Sequence, residues 1–394
     1  MVYTPAHTMT IGIPKEEHPG ETRVALVPAH VPKLTKLGYD VVVEPGAGFA
    51  SGYTDTAYEE KGARIAASRA ELLSAAEMLL TVRAAAATDA WKDLHASGPS
   101  AQVVIGQAEP WAPHAAFSAL ADRGATLVSM ELMPRITRAQ SMDVLSSMAN
   151  LAGYKAALLA AEMLPKIFPM LMTAAGTIVP ARVLIVGVGV AGLQAIATTK
   201  RLGALVSAYD IRPAVKEQVE SLGAKFVELD LDTGDAEGSD GYAKEMGEEF
   251  YRRQREEMRK VVAEMDCVIT TANIPGKKAP TLVTTEMVEA MQPGSVVIDL
   301  AAERGGNCEL TEAGKTVDRN GVRVHGPVNL PATMAFHASQ LYSSNLLNFI
   351  TAMTKDGNLS LDPQDELVSA TTVIRDGKAS SPEFAERLGL AAAN

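Results

Sequence analysis

The sequence predicts an α/β protein built from two Rossmann-like domains with parallel sheets. Short β-branched runs alternate with helical patterns along the whole chain, as expected where parallel strands are joined by helices. The chain has 394 residues, which is long for one domain. A glycine motif directly follows an apolar run near the middle of the chain. We therefore expect two domains, with a ligand cleft between them.

The predicted strands fall into two series. The first comprises Thr10–Ile13, Val41–Glu44, Met78–Val82, Val103–Gly106 and Thr126–Ser129. The second comprises Val183–Val186, Leu205–Tyr209, Lys225–Leu229, Cys267–Thr271, Ser295–Leu300 and Val322–His325. Six strands in one series are the number in a full Rossmann sheet.

Two helical segments predict how the domains connect. The stretch from Ser141 to about Phe168 has helical periodicity and should link the two domains. After the Pro-punctuated GPVNLPATM, Leu341, Leu346 and Phe349 suggest a helix that returns to the first domain. We thus predict a discontinuous first domain, residues 1–140 plus 328–394, and a second domain, residues 141–327, that includes the linking helix.

Composition excludes several classes of function. A net charge of −11 argues against nucleic acid binding, which needs clustered basic residues. The chain has only two cysteines, Cys267 and Cys308, so neither a disulfide framework nor a zinc or other metal site is predicted. No signal peptide and no uninterrupted apolar span of about 20 residues is evident. These features predict a soluble cytoplasmic protein without direct membrane insertion.

The glycines of VLIVGVGVAGLQAIATTKRLG form a G-x-G-x-x-G motif in the context that dinucleotide binding requires. Gly187 would permit the tight turn, Gly189 the approach of a diphosphate and Gly192 the packing of helix on strand. The diphosphate would lie at the N-terminus of the following helix.

Asp210 follows the second strand of this series, where a carboxylate accepts hydrogen bonds from the adenosine ribose. It would repel the 2′-phosphate of NADP, so the sequence favours NAD(H). Arg212 leaves the alternative open, because an arginine at this place can bind a 2′-phosphate.

A long acidic segment, LDLDTGDAEGSDGYAKEMGEEF, follows the third strand of the second series. Long loops of this kind are either functional lids or solvated surface. Tyr242 and Met246 are the apolar side chains that a lid would use, and both interpretations stay open.

A polar stretch, ELMPRITRAQSMDVLS, interrupts apolar surroundings. It brings Arg135, Arg138, Gln140 and Asp143 into nine positions. A buried ion pair between Arg135 and Asp143 is the plain structural explanation.

The strand ends of the first domain lack an acid or base suited to proton transfer. MLLTVR offers Thr81 and Arg83, and VVIGQAEP offers Gln107. A dehydrogenase acting on an alcohol or amine must move a proton as well as a hydride, and these side chains do not titrate near neutrality.

Several segments resemble the alanine dehydrogenase and transhydrogenase superfamily across the whole chain. IGIPKEEHPGETRVALVPAHVPKLTKLGYDVVVEPGAGFASGY is similar to the start of both branches. MELMPRITRAQSMDVLSSMANLAGYKA, PMLMTAAGTIVPARVLIVGVGVAGLQAIATTKRLGA, GYAKEMGEEF, TTANIPGKKAP and PGSVVIDLAAERGGNCELTE resemble the transhydrogenase branch, in particular its separately encoded NAD(H)-binding alpha subunit.

The resemblance separates the two branches. Alanine dehydrogenases carry Lys and His where this chain has Thr81 and Gln107, and Asp where it has Glu303. The chain retains Arg23, which binds the substrate carboxylate in those enzymes. Transhydrogenation needs no acid or base, because hydride passes directly between two nicotinamides.

The resemblance also implies a set of nucleotide contacts. Gln140, Arg135 and Asp143 would act at the nicotinamide, Ile136 and Thr137 would complete that wall together with Arg135, and Ser146 would bind the cofactor. Val188, Gly189 and Val190 match the diphosphate loop, and Asp210, Ile211 and Arg212 the adenosine ribose site. Gly241 and Tyr242 match a mobile loop, and Gln254 and Asn273 further contacts, although Asn273 replaces an expected apolar residue.

The resemblance finally implies partners. NADH bound here would reduce NADP⁺ held on a beta subunit, which is attached to membrane-spanning subunits that pass protons. A homodimer, peripheral to the inner membrane, is expected. An amino-acid dehydrogenase with an altered pocket and a non-catalytic NAD sensor are the alternatives.

Overall fold

The computed structural model describes residues 8–84, 101–111, 115–229 and 248–391. The chain divides into two compact units. Unit 1 comprises Met1–Met148 and Ala332–Asn394, and unit 2 comprises Ala149–Pro331. The predicted fold class is confirmed, because both units contain a mainly parallel sheet flanked by helices.

The elements of the described residues are as follows. The strands are β1 Thr10–Ile13, β2 Asp40–Val43, β3 Arg64–Ile65, β4 Met78–Arg83, β5 Val103–Gln107, β6 Thr126–Ser129, β7 Leu171–Thr173, β8 Gly176–Ile178, β9 Arg182–Val186, β10 Leu205–Tyr209, β11 Lys225–Phe226, β12 Cys267–Thr270, β13 Val296–Asp299, β14 Thr316–Arg319, β15 Val322–His325, β16 Thr354–Lys355, β17 Asn358–Leu359, β18 Thr372–Arg375 and β19 Lys378–Ala379. The α-helices are α1 Val31–Lys36, α2 Asp55–Glu59, α3 Arg69–Ala75, α4 Ala115–Asp122, α5 Val144–Met163, α6 Val190–Arg201, α7 Lys216–Ser221, α8 Glu248–Ala263, α9 Thr285–Glu289, α10 Ala335–Met353, α11 Glu366–Thr371 and α12 Pro382–Leu388.

The sheet of unit 1 has the strand order β19-β18-β6-β5-β4-β1-β2-β3. Strands β1 to β6 are parallel, and β18 joins β6 in the antiparallel sense. The carboxyl ends of β1, β4, β5 and β6 therefore lie along one edge. Helix α10 packs against the loop that follows β6, and its Tyr342, Leu346 and Phe349 are buried. Leu341, which the sequence grouped with Leu346 and Phe349, is exposed, because a residue five positions before Leu346 on a helix points to another face.

The sheet of unit 2 has the order β11-β10-β9-β12-β13-β15-β14, with only β14 antiparallel to its neighbour. The strand order reverses between β9 and β12, which is where open α/β sheets bind ligands. Side chains alternate between two cores. Val183 and Ile185 face one core together with α5 and α6, and Leu184 and Val186 face the other together with α8 and α9.

Three short hairpins contain strands that the sequence did not predict, and β15 alone among their six strands was predicted. They connect β14 to β15, β16 to β17 and β18 to β19 through Asn-Gly or Asp-Gly pairs. In each pair both residues have positive φ, for example 48° at Asp376 and 78° at Gly377. Two consecutive residues with positive φ define a type I′ turn, so these dipeptides were a readable hairpin signal.

The predicted linking helix is shorter than expected. Thr137–Met142 forms a 3₁₀ helix, and α5 ends at Met163. Pro165 disfavours helical backbone at the residue before it, which explains the early end. Beyond it, β7 and β8 form an unpredicted two-stranded hairpin. In the described part of the chain, no helix is long and apolar enough to cross a membrane.

Candidate functional site

The glycine motif of unit 2 forms a tight turn between β9 and α6. Gly187 has φ 94°, and its N–H donates to the carbonyl of Tyr209 at 2.8 Å. A Cβ at Gly192 would lie 2.0 Å from the carbonyl oxygen of Gly187. The first and third glycines are therefore required by the fold itself, since neither position has room for a side chain in this backbone.

Gly189 differs from its two neighbours in the motif. Its φ of −82° is ordinary for any residue, and a Cβ there would meet none of the described atoms within 4 Å. It is also the N-cap of α6, and no side chain of the described residues caps that helix. The first N–H groups of a helix need acceptors, and an anion is a natural one. The space beside Gly189 is thus open among the described residues at a helix N-terminus, where an anion can bind.

Asp210 lies at the end of β10, close to the glycine turn. Its carboxylate accepts hydrogen bonds from the backbone N–H of Val188 at 2.7 Å and of Arg212 at 2.9 Å. It also accepts two from the guanidinium of Arg212, from Nε and Nη2, each at 2.9 Å. The predicted residues Gly187, Val188, Asp210 and Arg212 therefore form one connected group.

Gln254 is buried on α8, with 2% of its surface exposed. Its Nε2 donates to the hydroxyl of Tyr209, the residue before Asp210, at 2.8 Å. Its Oε1 is buried and receives no hydrogen bond from the described residues. A buried acceptor without a donor is costly, so this oxygen needs a partner beyond the described residues. Ile211 and Val190, next to Asp210 and Gly189 in the sequence, are both half-buried, and Asn273 is exposed in the loop after β12.

Asn307 was not singled out from the sequence, but it holds the loop after β12. The residue is fully buried, and its amide donates to the carbonyls of Ala272 and Pro280, each at 2.8 Å, while its Oδ1 accepts from the N–H of Ala272 at 3.0 Å. Asp299 accepts from the N–H of Asn307 at 2.7 Å. In the same loop, Thr271 Oγ1 donates to the carbonyl of Gly187 at 2.9 Å. The one available sequence signal was its place in GGNCELTE.

The loop after β6 in unit 1 carries the predicted nicotinamide contacts. It contains two 3₁₀ helices, Met130–Leu132 and Thr137–Met142. Ala139 and Met142 are buried, and the amides of Asn345 and Asn348 on α10 donate to the carbonyl of Ser141 at 2.9 and 3.0 Å. Gln140 is exposed on this anchored backbone, as are Arg135 and Thr137, whereas Ile136 is half-buried.

Asp143 caps the start of α5. Its Oδ1 accepts from the N–H of Ser146 at 2.9 Å, and its Oδ2 from the Ser146 hydroxyl at 2.5 Å. This is the usual geometry of an aspartate N-cap. The structure thus gives Asp143 and Ser146 a structural role at the helix start, and their role at the nicotinamide stays a prediction. Arg138 forms an ion pair with Asp365.

Charged side chains lie at the carboxyl ends of β1 and β4. Glu21 accepts from Nε and Nη2 of Arg23, both at 2.7 Å, and from Nε of Arg83 at 3.1 Å. Burial alone raises the pKa of Glu21, but the hydrogen bonds and charge of Arg23 lower that pKa to about 2. Thr81 is buried within β4, and Gln107 ends β5 half-buried. Neither Thr81 nor Gln107 can supply a proton near neutral pH.

The buried carboxyl group of Glu16, in the same region, should make the stability of the protein depend on pH. Burial raises the pKa of Glu16 to about 7, although the N–H groups of Val82 and Arg83 donate to its carboxylate and oppose the rise. A carboxyl group with a raised pKa favours folding at low pH, and this contribution is lost as pH rises through about 7. We expect the unfolding temperature of the wild type, compared with that of Glu16→Gln, to fall as the pH rises from about 4.5 to about 7. Calorimetry of both proteins checks this, and parallel pH curves would contradict it.

The two cysteines, Cys267 and Cys308, are both free and buried. Among the residues that the structure describes, no group of three His, Cys, Asp or Glu could hold a metal ion. The predicted residues Gly241, Tyr242 and Met246 lie outside the described residues.

Comparison with known proteins identifies relatives of the entire fold. The family model described as alanine dehydrogenase/PNT, N-terminal domain, matches residues 12–152, and the corresponding C-terminal domain matches residues 156–382. The chain is 51% identical over 377 residues to the first part of NAD(P) transhydrogenase subunit alpha of Rhodospirillum rubrum, which covers 95% of this chain and 98% of that protein. The subunit of the same name from Rickettsia prowazekii is 45% identical, covering 92% and 94%. The crystal structure of transhydrogenase from Sinorhizobium meliloti has a TM-score of 0.83 at 47% identity, covering 94% of this chain and 100% of that chain.

Proposed function

The chain belongs to the alanine dehydrogenase/PNT family, and we propose that it is the NAD(H)-binding component of a proton-translocating transhydrogenase. In this proposal, NADH bound to unit 2 passes a hydride to NADP⁺ held on a separate beta subunit. The observation that carries the proposal is the open glycine cradle at the N-terminus of α6, which has space for a diphosphate where the fold itself does not need a glycine.

The residues of unit 2 have the chemistry that a dinucleotide requires. The N–H groups at the start of α6 would hold the diphosphate, and Asp210 would accept hydrogen bonds from the adenosine ribose. A carboxylate in this position disfavours a 2′-phosphate, which supports NAD(H) as the nucleotide bound here. The buried acceptor of Gln254 would satisfy a further donor of the nucleotide.

The residues proposed for the nicotinamide end are Gln140 and Arg135, with Ile136 and Thr137 beside them. When bound, the dihydronicotinamide supplies the hydride, and the protein's task is to hold it at the right distance and orientation. The anchoring of Ser141 by two asparagine amides supports this task, because it fixes the backbone that carries Gln140.

The alternative of an amino-acid dehydrogenase is less well supported. Oxidation of an amine requires a group that accepts a proton, and the strand ends offer Thr81 and Gln107 in the places where alanine dehydrogenases carry Lys and His. A hydride moving between two nicotinamides requires no such group. The residues present therefore favour transhydrogenation over deamination.

A mixing experiment tests the function. We expect the purified chain, combined with a purified NADP(H)-binding subunit, to catalyse reduction of an NAD analogue by NADPH. The chain alone should bind NADH but not reduce NAD⁺ with alanine. Binding without turnover in the presence of an active partner would favour the NAD sensor, and turnover of alanine would favour the dehydrogenase.

We further propose a homodimer that is peripheral to the inner membrane through the membrane-spanning subunits. The β7–β8 hairpin supports self-association, because Leu171 and Ile178 in its strands are exposed. Met172 in β7 and Val179 directly after β8 are more exposed still, at 77% and 76%. Apolar side chains exposed close together can mark an interaction surface. An isolated two-stranded hairpin is at best marginally stable, so a partner surface would stabilise it.

The dimer proposal predicts a specific effect of two substitutions. Met172→Ser combined with Val179→Ser should weaken self-association about tenfold or more, since burial of each side chain contributes roughly 1.5–3 kcal/mol. Light scattering after size exclusion, over a dilution series, measures this. Phe49→Ser is the control, because Phe49 is equally exposed but lies in unit 1. A double variant that dimerises like the wild type would remove the hairpin from the interface.

A further inference from the structure

We propose that Arg212 is an internal competitor of the nucleotide, and that its guanidinium occupies the acceptor sites of Asp210 that the adenosine ribose hydroxyls need. Binding of NADH would exchange the guanidinium for the ribose diol. This inference rests on the proposed function, since it concerns the ribose end of the same nucleotide site.

The carboxylate of Asp210 accepts hydrogen bonds from four donors of the protein. A carboxylate has about four acceptor sites. Here Oδ1 accepts from the backbone N–H and from Nε of Arg212, each at 2.9 Å, and Oδ2 accepts from the N–H of Val188 at 2.7 Å and from Nη2 of Arg212 at 2.9 Å. All four sites are filled by the protein. Two ribose hydroxyls can therefore bind this carboxylate only in competition with a donor already there.

The four donors are not equally able to leave. The N–H groups of Val188 and Arg212 belong to backbone, and Val188 is fixed within the glycine turn, whose Gly187 bonds to Tyr209. The guanidinium is at the end of a long side chain, where rotation about single bonds is enough to withdraw Nε and Nη2 together. Its pair of parallel hydrogen bonds also matches the two donors of a vicinal diol. The guanidinium is therefore the group that the ribose would displace.

The strength of this pair sets the consequence for affinity. The side chains are only 12% and 6% exposed, so solvent screens their attraction less than at an open surface. A two-pronged arginine–carboxylate pair has charge-assisted hydrogen bonds on both prongs, whereas ribose hydroxyls are neutral donors. The exchange therefore costs free energy, and the wild-type protein binds NADH more weakly than its cradle would allow.

A competing arginine and an arginine that contacts the nucleotide have opposite effects on the affinity for NADH. If Arg212 were such a contact, removing its guanidinium would weaken binding. If it competes, removing it frees one edge of Asp210 and strengthens binding, while two backbone donors still support the carboxylate. The same substitution thus separates the two roles.

The experiment measures NADH binding by isothermal titration calorimetry for the wild type, Arg212→Met and Arg212→Lys. We expect Arg212→Met to lower the Kd for NADH about three- to tenfold. Arg212→Lys keeps the charge but not the two-pronged geometry, so its Kd should lie between those of the wild type and Arg212→Met. An unchanged or higher Kd for Arg212→Met overturns the proposal. Arg212→Gln replaces Arg212→Met if the latter does not fold.

A second measurement separates competition from a merely structural pair. Without NADH, Arg212→Met should unfold at a lower temperature than the wild type. With saturating NADH the two unfolding temperatures should converge, because NADH displaces the ion pair in the wild type and the variant never forms it. A difference that persists at saturation contradicts the exchange. A wild type that does not bind NADH at all overturns the proposed function together with this inference, whereas normal wild-type binding with weaker binding by Arg212→Met overturns this inference alone.

Discussion

Replacing Gly189 with alanine is expected to lower the affinity for NADH about a hundredfold while leaving the protein folded. The structure has room for the added methyl group, and the backbone at Gly189 is ordinary for alanine. The methyl group would instead occupy the space through which a diphosphate approaches the N–H groups of α6. Losing one or two charge-assisted hydrogen bonds, at roughly 1.5–3 kcal/mol each, corresponds to a factor of this size.

The measurement combines NADH titration with thermal unfolding of the same samples. Alanine is a poorer N-cap than glycine, so a loss of stability on the order of 1 kcal/mol is expected and does not count against the prediction. Gly192→Ala is the matched control, because its Cβ would lie 2.0 Å from the Gly187 carbonyl and the backbone must move. That variant should lose stability and binding together. NADH binding by Gly189→Ala at wild-type affinity would mean that no diphosphate lies there.

The Rossmann framework was predictable because local and global signals agree in it. Short β-branched runs between helical patterns are local signals of strands, and β1, β6, β10 and β15 begin and end where the sequence predicts. The glycine motif was predictable for the same reason, since its context of strand and helix is local. The nearby Asp210 followed from its place at the end of β10.

Two other kinds of feature were not predicted. Hairpins have a local signal in their Asn-Gly and Asp-Gly pairs, whereas contacts between residues distant in sequence have no local signal. The Asp-Gly pair after β18 signals a type I′ hairpin. The pairing of β18 with β6, however, is a contact between residues distant in sequence, which no local signal predicts. Asn307 belongs to the second kind, because its importance lies in three hydrogen bonds to Ala272 and Pro280. The saturation of Asp210 by Arg212 is likewise visible only when distances are known.

The polar stretch from Arg135 to Asp143 shows the limit of composition as a guide. It was expected either as a buried ion pair or as a nicotinamide wall. In the structure Asp143 caps α5, Arg138 pairs with Asp365, and Gln140 is left exposed on a backbone held from α10. Three neighbouring polar residues thus have three different environments, and the sequence pattern alone does not distinguish them.

This division leads to the second large effect, which is expected for Gln140→Asn. We predict that hydride transfer to the NADP(H)-binding partner slows about 10- to 100-fold, while the Kd for NADH changes less than about threefold. Shortening the side chain by one carbon moves its amide by roughly 1–1.5 Å, and a misplacement of about 1 Å can cost a factor of about a hundred in rate. Binding should change little, because in the proposed function other residues would hold the diphosphate and adenosine ends.

The 3₁₀ helix that carries Gln140 makes this a test of position rather than of folding. Its backbone is anchored by Asn345, Asn348 and the buried Ala139, so the shorter side chain cannot be compensated by a shift of the loop. Gln218→Asn, the same substitution at an exposed glutamine of α7, is the control and should leave both quantities unchanged. Stopped-flow measurement of single-turnover hydride transfer, with NADH affinity measured separately, distinguishes the outcomes. An equal loss of affinity and rate would make Gln140 only a binding contact, and the positioning of the nicotinamide would then have to depend on other residues.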